Sequence, residues 1–405
     1  MNIGLLTPYF ALGTDNNSGI GRHYRILADA LVEQGHTVHV VYPASNVESA
    51  RAATTAYIAL SPRWTCDILP PPAPSWLLRL LRRSWPAQVM LSRIWSAHAA
   101  SRALAAAASR LSLDIIEAHA YGAPALFYLR RRRRPRVVTR VSTTSRQIDT
   151  IMSIHSRVLG WQQSLERYAT DRSDALVTHT CEHRDTLCAE EGFAATRFAI
   201  VAHGIPDPGP PPAFAPVNPC GHVEFFYLGR FELRKGTDVL FAALPAVAAA
   251  CPNAIFTLAG FTGVNHEWTA LQARHPALAR SRVQVLGPVS DEELATLYRR
   301  CSVFVAPSRY ESFGLIYAEA MSHAKPVIGC NAGGIPEVIT DGVTGLLARP
   351  GDIASLTDSM IRLGSDAALR QRMGEAARLD FLARFNAATM AANSVRLYQK
   401  VAASR

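Results

Sequence analysis

Six prolines fall within residues 206–216, and no other feature constrains this chain so strongly. A segment so rich in proline lacks the backbone donors and the rotational freedom that a helix interior or a central strand needs. It therefore reads as a linker between two folding units. The same alternation runs on both sides of it. Before it, short apolar runs at residues 3–7, 37–42, 114–118, 136–141, 175–178 and 199–202 are strand candidates. The stretch from Tyr24 to Gln34 places Ile26, Leu27, Ala30 and Leu31 at helical spacing and ends at Gly35. After the prolines, residues 223–228, 255–259, 283–286, 303–306 and 327–329 read as strands, and 291–300 and 313–322 as helices. Ser290 and Glu293 form a capping box that opens the first of those helices. Strands alternating with helices pair in parallel. The fold class is thus α/β, with two doubly wound domains at 1–205 and 220–385, a linker at 206–219, and a cleft between the domains as the default ligand site.

The 405 residues suit two or three domains of roughly 100–200 residues each. With 49% hydrophobic and 18% charged residues, a packed core is expected and wholesale disorder is not. The longest apolar run, residues 239–251, is shorter than the roughly 18 residues of a membrane span and contains Pro245. The opening Met1-Asn-Ile-Gly-Leu-Leu has no basic region and reads as a buried strand, not a signal peptide. Seven cysteines, odd in number and scattered, point to a reducing, cytoplasmic compartment.

Charge is uneven along the chain. Residues 1–205 hold 23 arginines, no lysine and 15 acidic residues, a net of +8 within a total of +10. One cluster runs from Arg130 to Arg136 and on to Arg140. Another lies between Trp76 and Trp85, where Trp76, Leu77, Leu80 and Leu81 share one helical face and Arg79, Arg82 and Arg83 the other. Such an excess suits an anionic partner, and a solvated helix face with an arginine-rich loop is the plain alternative. A nucleic-acid binder would interleave stacking aromatics with the basic run, and none occurs between Arg130 and Arg140.

Three constellations carry chemistry. Ser18, Gly19 and Gly21 sit between the first strand and its helix, where backbone amides can approach an anion; a tight turn is the alternative reading. Arg230 and Lys235 follow the first strand of the second half. There a forked guanidinium and a compact ammonium suit a diphosphate leaving group, as against plain surface cations. Glu311 precedes the helix expected to begin near Phe313 and Gly314, and Glu319 lies within it. Free amides of Gly314 and Leu315 then point at a phosphate, Glu311 accepts from sugar hydroxyls and Glu319 from a ribose diol. His119 alone reads as a satisfied strand-end histidine. Cys181, His183 and Cys188 have a loosely metal-like spacing, but three ligands on one helix argue against zinc.

The motifs around Arg230, Lys235, Glu311 and Glu319, with Gly333-Gly-Ile-Pro-Glu337 and Asp341-Gly-Val-Thr-Gly345, run in order through residues 223–352 and resemble the retaining GT-B glycosyltransferases of family 4 (GT4), as Ser18-Gly-Ile-Gly-Arg22 and Glu117-Ala-His119 do in the first half. The resemblance implies two Rossmann-like domains facing a central cleft, with the last helix, residues 386–405, packing back on the first domain. It places Arg230 and Lys235 on the donor diphosphate, Glu311 on the donor sugar, Glu319 on the nucleotide ribose and Gly19 at the β-phosphate. Phe313, Gly314 and Leu315 then bind the donor, and His119 faces its sugar. Ser18 replaces the usual first glycine of that loop, and Ala202-His203-Gly204 replaces a Pro-Asn-Gly turn. Val141-Ser-Thr-Thr-Ser-Arg146 stands where a histidine is common, on the acceptor side.

The implied reaction is transfer, with retention, from a nucleotide-diphosphate sugar, UDP favoured and GDP the alternative. The acceptor is a hydroxyl of a glycan or lipid-linked saccharide in cell-surface polysaccharide or lipopolysaccharide synthesis. A soluble sugar or natural product as acceptor, an epimerase or hydrolase on the same fold, and an arginine-rich nucleic-acid binder are the alternatives. No D-x-D occurs in the sequence, so a bridging metal is not required. The nucleotide sugar is a co-substrate with no further cofactor expected, and the basic run without aromatics implies no nucleic-acid partner. The cysteine pattern points to the cytoplasm, and the two arginine clusters suit a peripheral position on the inner face of an anionic membrane.

Overall fold

The computed structural model describes residues 1–10, 19–43, 63–69, 85–147, 157–210, 221–261, 263 and 265–404. The chain forms two compact units. The first comprises Met1–His179, Arg184–Gly204 and Ala387–Arg405, and the second Thr180–His183 and Ile205–Asn386.

The first unit is built on a parallel sheet of seven strands: β1 (Asn2–Leu6), β2 (Thr37–Pro43), β3 (Trp64–Leu69), β4 (Ile115–His119), β5 (Arg136–Arg140), β6 (Ala175–Thr178) and β7 (Phe198–Ile200). Their order is β3-β2-β1-β4-β5-β6-β7. Apolar side chains on both faces of the inner strands explain their burial, because helices cover each face. On one face, Leu27, Ala28 and Leu31 of the helix Gly19–Glu33 pack with Met390, Ala391 and Tyr398 of the helix Ala387–Ala403. On the other face, Ala97, Ala100, Leu104 and Ala107 of the helix Trp85–Leu111 meet Leu6, Val41 and Ile116. Truncating a buried leucine such as Leu27 to alanine costs about 2–5 kcal/mol in sites of this kind.

The second unit repeats the plan with six parallel strands: β8 (Val223–Leu228), β9 (Ala254–Ala259), β10 (Val283–Val285), β11 (Val303–Val305), β12 (Val327–Cys330) and β13 (Gly345–Ala348). Their order is β10-β9-β8-β11-β12-β13. The expected capping box is present: Ser290 accepts from the Glu293 amide, and Glu293 accepts from Ser290. One difference from the sequence reading matters for function. The helix after β11 begins at Leu315, because Gly314 at φ 91° is left-handed and ends the preceding loop. Glu319 thus lies in the second turn of an eight-residue helix.

Each sheet reverses its strand order once, between β1 and β4 in the first and between β8 and β11 in the second. Ligands of open parallel sheets bind outside the carboxyl ends of the strands at such points.

Candidate functional site

In the second unit the residues expected on a diphosphate emerge where β8 and β11 end. A 3₁₀ turn, Leu233–Lys235, follows β8 and closes on Gly236 at φ 70°. A side chain at Gly236 would collide with the carbonyl oxygen of Pro307, so only glycine lets the β8 loop lie against the β11 loop. That approach joins residues 76 apart in sequence. Lys235 Nζ donates to Glu311 Oε1 at 2.5 Å, and Ser308 Oγ donates to the same oxygen at 2.9 Å. Arg234 lies 3.8 Å from Glu311 Oε2. Arg230 and Arg234 share Glu232 Oε1, at 3.3 and 3.0 Å. Arg230 is the most open of the group, its side chain 64% exposed against 16% for Lys235 and 14% for Glu311.

Loops on either side hold Glu311. The Gly334 amide donates to its carbonyl at 2.8 Å, and Arg309 two residues earlier is clamped by Asp238, with both contacts 2.7 Å. That pair holds the Asp238 carboxyl below the usual range. Gly314 precedes the helix Leu315–Ser322 and its carbonyl accepts from the Tyr317 amide at 3.0 Å, so the donors this helix end can offer a ligand are the amides before Tyr317. The Phe313 ring is buried against Phe385 at 5.7 Å, so its backbone is what it offers a ligand. Glu319 Oε2 accepts from the Tyr298 hydroxyl at 2.9 Å.

In the first unit, Gly19 opens its helix, and a side chain there would meet none of the described residues within 4 Å. Residues 11–18, including Ser18, lie outside the described residues, as do Trp76, Arg79, Arg82 and Arg83. His119 ends β4 and is buried. Its Nδ1 accepts from the Tyr121 amide at 3.0 Å, and its Nε2 faces Ser142 Oγ at 2.8 Å. The first bond fixes the neutral tautomer with hydrogen on Nε2, so Ser142 is the acceptor. Burial, reinforced by Arg140, lowers the His119 pKa from 6.5 to about 3. Beside it, Arg140 grips Glu117 through Nε at 2.8 Å and Nη2 at 3.2 Å, and Tyr398 donates to Glu117 Oε2 at 2.7 Å. His203, which follows β7, stacks on His179 at 4.7 Å and lies 3.1 Å, Nδ1 to Nδ1, from His23. The loop after β5 is tied down by Glu166: Oε1 accepts from Ser145 Oγ at 2.7 Å and from the Gly122 amide at 2.8 Å.

Sequence reading missed Arg234, Ser308, Tyr298 and Glu166. The first two had a signal, since Arg234 adjoins Lys235 and Ser308 lies three residues before Glu311 in the same loop. Nothing in local spacing marked Tyr298 or Glu166, which reach their partners only through the fold.

A chain with this arrangement has recognisable relatives. Residues 17–208 match the family described as Glycosyltransferase Family 4, and residues 217–380 match Glycosyl transferases group 1. Glycogen synthase from Mycobacterium tuberculosis is 31% identical over 236 residues, 58% of this chain and 56% of the relative. D-inositol 3-phosphate glycosyltransferase from Xylanimonas cellulosilytica is 32% identical over 235 residues, 55% of each. The chain thus spans little more than half the length of these relatives. Sucrose-phosphate synthase from Thermosynechococcus elongatus superposes with a TM-score of 0.71 at 20% identity, over 100% of both chains. HepE from Anabaena, solved in complex with UDP, gives 0.67 at 16% identity, over 99% of this chain and 100% of its own. At such identities the superpositions show a shared GT-B fold.

Proposed function

From a chain that belongs to the GT-B glycosyltransferases of family 4, we propose a retaining transfer of sugar from a nucleotide-diphosphate sugar to a hydroxyl of a glycan or lipid-linked saccharide. The observation that carries this reading is the Lys235–Glu311 pair at the carboxyl edge of the second sheet. Within the site the ammonium and carboxylate neutralise each other. A diphosphate offers Lys235 a doubly anionic partner, and the exchange releases Glu311 oxygens to accept from sugar hydroxyls. Arg230, open to solvent, adds a forked donor to the same leaving group. The first-turn amides of Leu315–Ser322 add fixed partial positive charge. Catalysis is then mainly electrostatic: charge developing on the departing diphosphate meets preorganised cations and amides. That diphosphate takes the proton of the acceptor hydroxyl as the glycosidic bond breaks, so no carboxylate nucleophile is required. With no D-x-D in the sequence, Arg230 and Lys235 take the place of a bridging divalent metal.

UDP is the favoured nucleotide, supported by the UDP complexes of HepE. Gly19 is assigned to the phosphate and His119 to the donor sugar. A ligand gains the His119 Nε2 hydrogen only by replacing Ser142. The acceptor belongs to cell-surface glycan synthesis, and the support is the exposed run Arg130, Arg131, Arg132 and Arg133, suited to an anionic bilayer. No helix among the described residues is long and apolar enough to cross a membrane.

Saturation-transfer screening against UDP-, GDP- and ADP-sugars tests the donor. Binding of one class that is lost on Lys235→Ala supports the reading, and near-normal turnover by that variant overturns it. Incubation with the donor alone separates the classes of enzyme, because an epimerase would proceed and a transferase shows only slow hydrolysis. Phosphatidylglycerol vesicles test the surface: binding should weaken in salt and on replacing Arg131 to Arg133, and its absence at low salt would favour a soluble acceptor.

A further inference from the structure

Arg280, Arg282 and Arg300 line an open groove of about 400 Å³ in the second unit, together with residues that include Glu224, Thr257 and Gln284. Glu224 is the second residue of β8. The diphosphate residues leave the same strand after Leu228, roughly 13 Å further along at about 3.3 Å per residue. The groove and the candidate active site are therefore separate places on one sheet.

The charges in the groove do not balance. Glu224 is buried and fully committed: Oε1 accepts from Thr257 Oγ1 and Arg300 Nη2, both at 2.6 Å, and Oε2 from Arg300 Nε at 2.8 Å. It neutralises Arg300 and no more. Arg282 donates Nη1 to the Ala248 carbonyl at 2.9 Å, a neutral acceptor. Among the described residues, no second carboxylate lines the groove to answer Arg280 and Arg282. A concave wall concentrates the field of like charges, so the site carries a standing excess of two positive charges and forked donors that suit phosphate oxygens.

We propose that this groove binds a phosphate monoester, with Arg280 and Arg282 on the phosphate and Gln284 beside its organic part. A phosphate monoester near neutral pH carries about −1.5 to −2 charge, which matches the excess. The volume lies within the usual range of small-molecule sites, about 300–1,000 Å³. A bare surface patch would have no such concavity.

Isothermal titration of glucose 1-phosphate and of inorganic phosphate into the full chain, with and without UDP, tests the site. One equivalent should bind with the same affinity in both conditions. The variant R280A/R282A should bind at least about tenfold more weakly while keeping its affinity for UDP. Vesicles containing phosphatidic acid, bound through the same two arginines in preference to the soluble phosphates, would support phosphate recognition with a lipid headgroup as its source. Unchanged affinity in the double variant, displacement of the phosphate by UDP, or no binding of any of these probes would overturn the proposal.

Discussion

In the first unit, β4 and β5 carry Glu117, His119 and Arg140 sealed from solvent, whereas in the second unit β8 and β11 lead to Arg230, Lys235 and Glu311, which keep contact with it. The two sheets share a topology and a reversal point, yet the charges there serve different ends. A buried pair such as Glu117–Arg140 cannot yield one partner to a ligand without leaving the other charge stranded. The Lys235–Glu311 pair can, because water and an incoming anion both reach it. Topology decides where a site lies, and the burial of its ion pairs decides whether it holds the fold or exchanges partners.

The largest effect should come from breaking the sealed pair. Arg140→Met leaves Glu117 buried without its cation and should cost about 3–5 kcal/mol in urea unfolding. A cost below about 1 kcal/mol would mean that Tyr398 alone satisfies Glu117. Next in size, Lys235→Ala should lower transfer by about 10²–10³, some 2.7–4 kcal/mol of barrier, with little change in melting temperature. A variant equally impaired in folding would erase the contrast between the two regions.

Acid sharpens the same contrast. His119 is neutral in the folded state because its pKa falls from 6.5 to about 3. The unfolded chain therefore binds the extra proton first, and stability present above about pH 6.5 should be lost as pH falls towards 3. The slope is up to about 1.4 kcal/mol per pH unit for each such histidine. His119→Gln should flatten that dependence in pH-resolved unfolding, and an unchanged slope would assign it elsewhere. The smallest effect is expected from Tyr298→Phe, which removes one hydrogen bond to Glu319. Nucleotide affinity should fall by about threefold to tenfold, the worth of roughly 0.5–1.5 kcal/mol.

Much of the architecture is legible in the sequence because inner strands of a parallel sheet must be apolar on both faces. Edge strands escape that requirement. Among the described strands, Trp64–Leu69 is half-polar and pairs with β2 alone, and Gly345–Ala348 is a four-residue strand that pairs with β12 alone, so neither stands out as an apolar run. The helix Trp85–Leu111 lacks a clean apolar stripe because many of its core contacts are alanines, which pack closely without marking a face. At the candidate site, residue type and place after strands single out Arg230, Lys235 and Glu311 in the sequence. Their mutual geometry is not legible there, because it rests on Gly236 lying against Pro307, a contact across 71 positions of sequence.

The central claim is that Arg230 and Lys235 hold a diphosphate. Comparing UDP with UMP by isothermal titration tests it most directly, since the two differ only in the phosphate these cations should grip. The wild-type chain should bind UDP at least about tenfold more tightly than UMP, a difference of roughly 1.4 kcal/mol. In R230A/K235A that preference should collapse towards unity while UMP affinity stays nearly constant. A double variant that keeps the full preference for UDP would contradict the account.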